Sequence, residues 1–203
     1  ARNHAGDYAF AVAGEPTGLD LVHTTKGSLW AVLEASGVSG HSSQPESGEN
    51  AIMKMVHALS ILESDLKPDL AGFTHPVLGP ATINVGIVRG GTRANIIPDQ
   101  TTAQIDIRYP PSLVEERSAT KLLEEFLVQN NLPVTLSVSA DNPPMEVPAD
   151  HPLVDHLLEA AEHVLGFRPE LTAFPGGTDA SKFHGIAGIP TIPSFGPGWL
   201  PLA

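Results

Sequence analysis

The 203-residue chain has no cysteine, which excludes a disulfide framework, a thiolate metal site and a cysteine nucleophile. Any metal must therefore be held by histidine and carboxylate. Basic residues are scarce: 11 Lys and Arg stand against 23 Asp and Glu, a net charge of -12. Such a surface neither tracks phosphates nor favours an anionic membrane leaflet, so neither nucleic acid nor membrane is an expected partner. No apolar run approaches the roughly twenty residues of a membrane helix. The first residues carry no basic head before an apolar stretch, so no secretory leader is indicated and a cytoplasmic protein is expected. The chain opens on Ala1 rather than methionine and stops shortly after Phe195-Gly196-Pro197-Gly198 without a closing helix, which suggests a piece of a longer protein.

What is present reads as α/β. Tyr8 to Ala13 is an unbroken apolar run, expected to be a strand buried on both faces, released into Gly14-Glu15-Pro16-Thr17. From Lys26-Gly27 the pattern becomes alternation, with Leu29, Ala31, Leu33 and Ala35 on one face and Trp30, Val32 and Glu34 on the other. Asn50 to Leu62 repeats Ile52, Val56, Leu59 and Leu62 at helical spacing, with the methionines as core. A proline-bearing connection, Lys67 to Pro80, leads to alternating Ile83, Val85 and Ile87, then to the turn Arg89 to Asn95 and a third strand through Ala103, Ile105, Ile107 and Tyr109. Ser112 with Glu115 forms a capping box ahead of a helix through Leu122, Leu123, Phe126 and Leu127, and Val134, Leu136 and Val138 alternate in a fourth strand.

The order strand, helix, strand, strand, helix, strand predicts a ferredoxin-like βαββαβ unit over residues 26–141. Lys26-Gly27 and Asp141 to Pro144 read as its linkers. After it, Asp150 is expected to cap a helix that Gly166 stops, Phe174 to Asp179 is a glycine turn entering a short helix, and Gly188 to Pro193 is a short strand. Residues 1–25 and 142–203 thus read as two pieces of one incomplete α/β domain into which the ferredoxin-like unit is inserted.

Several residues invite chemistry. His41 lies in the loop Ser39 to Ala51 between a strand and a helix, where a side chain can reach a ligand neither element touches. Glu15 sits at a strand's carboxyl end, where α/β sheets collect ligands, although a carboxylate before proline is ordinary turn composition. Arg108, mid-strand on a polar face, can grip a carboxylate with two hydrogen bonds or form a cross-strand ion pair. Asn95 can supply a left-handed turn conformation. Gly176-Gly177-Thr178 offers backbone donors to an anion or a polarised carbonyl. His57, His156 and His163 read as surface residues, since no helical His-x-x-x-His pair occurs. His4, His23, His75 and His184 show no partner in sequence, and nothing around Ser42 and Ser43 makes a serine nucleophile.

Gly14-Glu15-Pro16-Thr17, Lys26-Gly27, Gly40-His41-Ser42-Ser43 with Pro45, Gly48 and Asn50-Ala51-Ile52, Gly90-Gly91 with Asn95-Ile96-Ile97-Pro98, Asp106-Ile107-Arg108, Gly176-Gly177-Thr178-Asp179 and Phe195-Gly196-Pro197-Gly198 follow one another in an order that resembles a known family. It is the co-catalytic zinc amidohydrolases and peptidases, which include acetylornithine deacetylase, succinyl-diaminopimelate desuccinylase, aminoacylase and glutamate carboxypeptidase. The resemblance implies a lid, also the dimerisation domain, inserted into a zinc-binding body. It implies Glu15 as ligand to one of two zinc (or cobalt) ions. His41 would steady the oxyanion, often in the partner subunit's site, Asn95 and Arg108 would bind the substrate carboxylate, and Gly177 and Thr178 would line the opposite wall.

The substrate class so implied is an N-acyl amino acid or short peptide with a free carboxylate, and the assembly a homodimer through the lid. The family's first metal histidine, bridging aspartate and Glu-Glu pair precede the position of Glu15, and its last histidine follows the Phe-Gly-Pro-Gly loop. The chain is therefore expected neither to bind zinc tightly nor to hydrolyse amides by itself. The rival expectation is a non-catalytic dimerisation or binding module that lost the metal centre.

Overall fold

The computed structural model describes residues 8–198; His4 lies outside them. Strand β1 is Ala11–Val12, β2 Leu21–Thr25, β3 Gly27–Ser36 and β4 Gly40–His41, followed by α1, Ala51–Ile61. A π-helical turn, Leu62–Leu66, continues α1 directly into α2, Lys67–Ala71. Then come β5 Thr74–His75, β6 Gly79–Pro80, β7 Thr82–Gly90, β8 Ile96–Ile97 and β9 Gln100–Tyr109. Helices α3, Pro111–Glu116, and α4, Ala119–Gln129, precede β10, Thr135–Asn142, and β11, Met145–Glu146. The remainder is α5 Pro152–Leu165, β12 Leu171–Phe174, α6 Ala180–Ala187 and β13 Thr191–Ile192.

Four strands form one antiparallel sheet in the order β10-β3-β9-β7. Numbered along the unit this is 4-1-3-2, the ferredoxin-like plan expected from the alternation. Both helical segments cover one face. Leu29, Leu33, Ala35, Ala103, Ile107 and Tyr109 meet Met55, Leu62, Leu66, Leu123 and Leu127 there in a single core. The other face is open to solvent, with Trp30 51% exposed.

Local details depart from expectation, each for a physical reason. The buried stripe of α1 is Ala51, Met55 and Ala58, continued by Leu62, whereas Val56 and Met53 are exposed, because spacings of three and four carry the contact line past 55 and 58. Pro68 does not end the helix: it directly follows the π-helical turn, in which Lys67 N donates to Leu62 O and the hydrogen-bond register shifts by one residue ahead of the proline. In β7 a bulge between Val85 and Ile87 turns Ile87 away from the helices, opposite Gln104. The Ser112 and Glu115 pair caps nothing: Pro110 and Pro111 start α3, Ser112 Oγ donates to Thr74 O, and Ser118 caps α4 by accepting from Lys121 N. His151, not Asp150, caps α5, its Nδ1 accepting from Leu153 N at 3.1 Å. Gly166 ends that helix in the left-handed region, φ 78°.

The second region is smaller. β2 lies between β11, antiparallel, and β12, parallel, while β1 pairs in parallel with β13. Leu21, Val147, Val154, Leu158 and Ile192 make its core. The run before Ala13 is not buried on both faces: only Ala11–Val12 is strand, and Tyr8 and Phe10 are exposed, since β1 has one short neighbour among the described residues.

The chain crosses between the regions twice, at Lys26 and at Pro143-Pro144, side by side. Gly27 must be glycine there, because a Cβ would stand 2.6 Å from the Tyr109 ring and 2.8 Å from Asn142 O. Lys26 is buried at this junction with Nζ donating to Pro80 O, and burial lowers its pKa.

Candidate active-site cleft

At the junction lies a cleft of about 240 Å³. Ser28, Trp30, Arg108 and Asn142 enter it from the open face of the sheet, Glu15 from the loop after β1, and Gly177, Thr178, Asp179 and Lys182 from the turn into α6. Four residues singled out by sequence, Glu15, Arg108, Gly177 and Thr178, thus converge although far apart in the chain. Trp30, Ser28, Asn142 and Lys182 were not singled out as site residues; the one sequence signal among them is the alternation that turns Trp30 away from the core face.

Arg108 faces the cleft because strand alternation puts it opposite Ser28 and Thr82, away from the helices. Its Nε and Nη2 both donate to Asp106 Oδ2, at 3.0 and 2.9 Å, so its ion-pair partner is two residues away on its own strand rather than across it. That bond fixes one edge of the guanidinium and leaves the other free for a second carboxylate. Asp106 Oδ1 is buried with no hydrogen-bond partner among the described residues.

Glu15 is held by its backbone. Gly196 packs so closely that a Cβ there would stand 2.6 Å from Glu15 O, and Gly196 O accepts from Thr17 N at 3.2 Å and Leu19 N at 3.0 Å. Thr178 is buried, and its hydroxyl is already spent as a donor to Pro193 O at 2.8 Å. Gly177 would have room for a methyl group, 3.5 Å from Ser28 Oγ, so the missing side chain keeps the cleft open rather than avoiding a clash. Lys182 pairs with Asp179 at 2.7 Å on the rim.

His41 and Asn95 lie elsewhere. They are adjacent, with Ser42 N donating to Asn95 O at 3.1 Å and His41 opposite Ile96. Both sit beyond the Ser36 end of β3, roughly 30 Å from its Gly27 end at about 3.3 Å per residue. The left-handed role open to Asn95 is not taken, since Gly91 has the positive φ, 73°. His41 Nδ1 accepts from Ser43 N at 3.2 Å and lies 2.8 Å from Ser43 Oγ. In the neutral ring these contacts put the proton on Nε2, exposed and free to donate.

Among the described residues no group of three His, Cys, Asp or Glu side chains is placed to hold a metal ion. Glu15 is a single carboxylate, so these residues do not make up a metal site. His57, His156, His163 and His184 are exposed. His75 is engaged with Glu146 at 3.1 Å and His23 with Val147 O at 2.9 Å.

Residues 23–135 match the family model described as a peptidase dimerisation domain, that of the M20 family. Acetylornithine deacetylase of Myxococcus xanthus is 33% identical over 198 residues, covering 93% of this chain and 49% of the relative. That of Proteus mirabilis is 38% identical over 155 residues, covering 71% and 39%. The chain thus spans less than half the length of either relative. Among solved structures, an M20 family metallo-carboxypeptidase from Sulfolobus solfataricus has the same fold, with TM-score 0.71 and 16% identity over 97% of this chain and 57% of that one.

Proposed function

Since the chain belongs to the M20 family of zinc amidohydrolases, we propose that it is the lid-bearing, substrate-binding part of an amide-bond hydrolase. Its substrate is an N-acyl amino acid or short peptide with a free carboxylate. The observation that carries this is the convergence of Glu15, Arg108, Gly177 and Thr178 on one cleft at the junction. Residues 26–141 form the lid, and 1–25 with 142–203 belong to the body.

Arg108, oriented by Asp106, takes the substrate carboxylate on its free edge, which places the amide carbonyl toward Glu15 and Thr178. Glu15 offers one carboxylate to a metal pair, which would supply a polarised carbonyl and an activated water.

His41 cannot cross about 30 Å to the cleft of its own chain. It acts in the cleft of a second subunit, its Nε2 proton donating to the developing oxyanion, with Asn95 beside it. The assembly is therefore a homodimer through the lid, and the compartment we assign is the cytoplasm. No helix among the described residues is long and apolar enough to cross a membrane.

The test is the longer gene product. It should hydrolyse N-acetyl amino acids in a chelator-sensitive way, while the 203-residue chain neither hydrolyses them nor binds zinc tightly. Mixing inactive His41→Ala and Glu15→Ala subunits should restore about a quarter of the activity, because half of the dimers then hold one intact site. A mixture as dead as its components removes His41 from the partner's cleft, and chelator-resistant hydrolysis by the short chain overturns the metal reading.

A further inference from the structure

The open face of the four-stranded sheet is ordered in rows set by its register. Nearest the junction, Asn142, Ser28, Arg108 and Thr82 stand side by side; next come Ala140, Trp30, Asp106 and Asn84. Ser137, Val32, Gln104 and Ile87 follow, and beyond them Glu34, Thr102 and Arg89. The face is thus polar at the cleft and at the far end, and in the middle Trp30, Val32 and Ile87 stand among polar neighbours.

A second cavity, about 400 Å³, lies over the middle rows and is lined by Trp30, Val32, Ile87, Gln104, Asp106 and Ser139 among others. Trp30 lines this cavity and the cleft alike. Its row lies about 7 Å from that of Arg108, two residues along a strand. An amino acid whose carboxylate meets the guanidinium can therefore lay a large side chain on the indole.

Two features argue that this shelf is built rather than left over. The bulge at Gly86 turns Ile87 out of the core and onto the open face, at the cost of ladder regularity. Ser139 Oγ donates to Trp30 O at 3.0 Å, and β10 is bulged at the same place, so the backbone under the indole is held from the edge strand.

We propose that Trp30, with Val32 and Ile87, binds the apolar side chain of the carboxylate-bearing residue of the substrate. The enzyme then prefers N-acyl amino acids with large aromatic or aliphatic side chains over N-acylglycine. This rests on Arg108 as the carboxylate holder. A side chain laid against a half-exposed shelf recovers part of its full transfer free energy, and a benzyl group should gain about tenfold over glycine.

The test is a titration of the 203-residue chain with N-acetylglycine, N-acetylleucine and N-acetylphenylalanine, followed by the Trp30 indole and Arg108 Nε–H resonances. N-acetylphenylalanine should bind about tenfold tighter than N-acetylglycine and shift both signals, whereas N-acetylglycine shifts Arg108 alone. Trp30→Ala should reduce the preference to below about twofold, and Trp30→Leu, which keeps an apolar surface, should retain most of it. Equal affinities with Arg108 shifted overturn the shelf and leave the cleft reading intact. An unmoved Arg108 with every ligand overturns the cleft reading, and the shelf with it. A Trp30 signal that changes on dilution and ignores ligand means a second copy covers the shelf, which also overturns the proposal.

Discussion

The two faces of the four-stranded sheet are made by the same strands and differ only in which alternate residues they take. On β9 the helix-covered face receives Ala103, Ile105, Ile107 and Tyr109, all at 3% exposure or less, while the open face receives Thr102, Gln104, Asp106 and Arg108. The covered face holds the fold, and the open face carries the residues proposed to meet substrate. Side chains one position apart should therefore fail in different ways when changed.

The largest contrast is expected for Leu33→Ala beside Trp30→Ala. Leu33 is fully buried, so its truncation should cost about 2–5 kcal/mol, the transfer term plus a cavity. Trp30→Ala should cost less than about 1 kcal/mol. Urea unfolding of both variants decides it, and equal losses would erase the division. Next is Arg108→Ala in the longer enzyme, which should raise KM for anionic substrates by about tenfold or more with stability changed by less than about 1 kcal/mol. An unchanged KM removes Arg108 from the site.

Tyr109→Phe is the third. The buried hydroxyl donates to Asp141 Oδ1 at 2.5 Å, and Asp141 also accepts from Thr120 at 2.7 Å, so the variant should lose about 1–1.5 kcal/mol. Burial, then Asp141, push the Tyr109 pKa far up. The native state keeps a proton that the unfolded chain releases above about pH 10, so stability falls as pH rises through that point, and the variant should lack this decline.

The smallest effect is expected at the junction, for Lys26→Met. Burial lowers the Lys26 pKa, so the native state sheds its proton first and gains stability as pH rises from that lowered value toward about 10.4. The variant should lose this gain while staying within about 1 kcal/mol of the parent at neutral pH, since the lost bond to Pro80 O is offset by the relieved desolvation. A stability-against-pH curve unchanged between the two would show that the ammonium stays hydrated.

Period-two patterning made the sheet legible from sequence, because one face is buried and a shift by one residue would expose Leu29, Leu33 and Ile107 together. Where a single extra residue intervened, at Gly86 and Ser139, the pattern misplaced Ile87, since a bulge leaves no compositional mark beyond a glycine. Helix starts misled for a related reason: Ser118 and Ser112 look alike in sequence, and only the prolines at 110 and 111 and the acceptor at Thr74 separate their roles. Glu15, Arg108, Gly177 and Thr178 were legible through their motifs. Trp30 carries no motif, and its place in the cleft follows from register alone. The separation of His41 and Asn95 from the cleft follows from strand length, which no motif encodes.

Both crossings between the regions leave from one corner of the sheet, at Gly27 and Asn142, which are the adjacent ends of β3 and β10. A plate hung from one corner is a lever. Arg108 lies beside the pivot and His41 at the far tip, about 30 Å out. A turn of about 10° at the corner carries the histidine some 5 Å while the arginine moves about 1 Å. With Arg108 in its proposed role, the grip on a carboxylate would thereby be decoupled from any such turn, one end of the plate holding while the other travels.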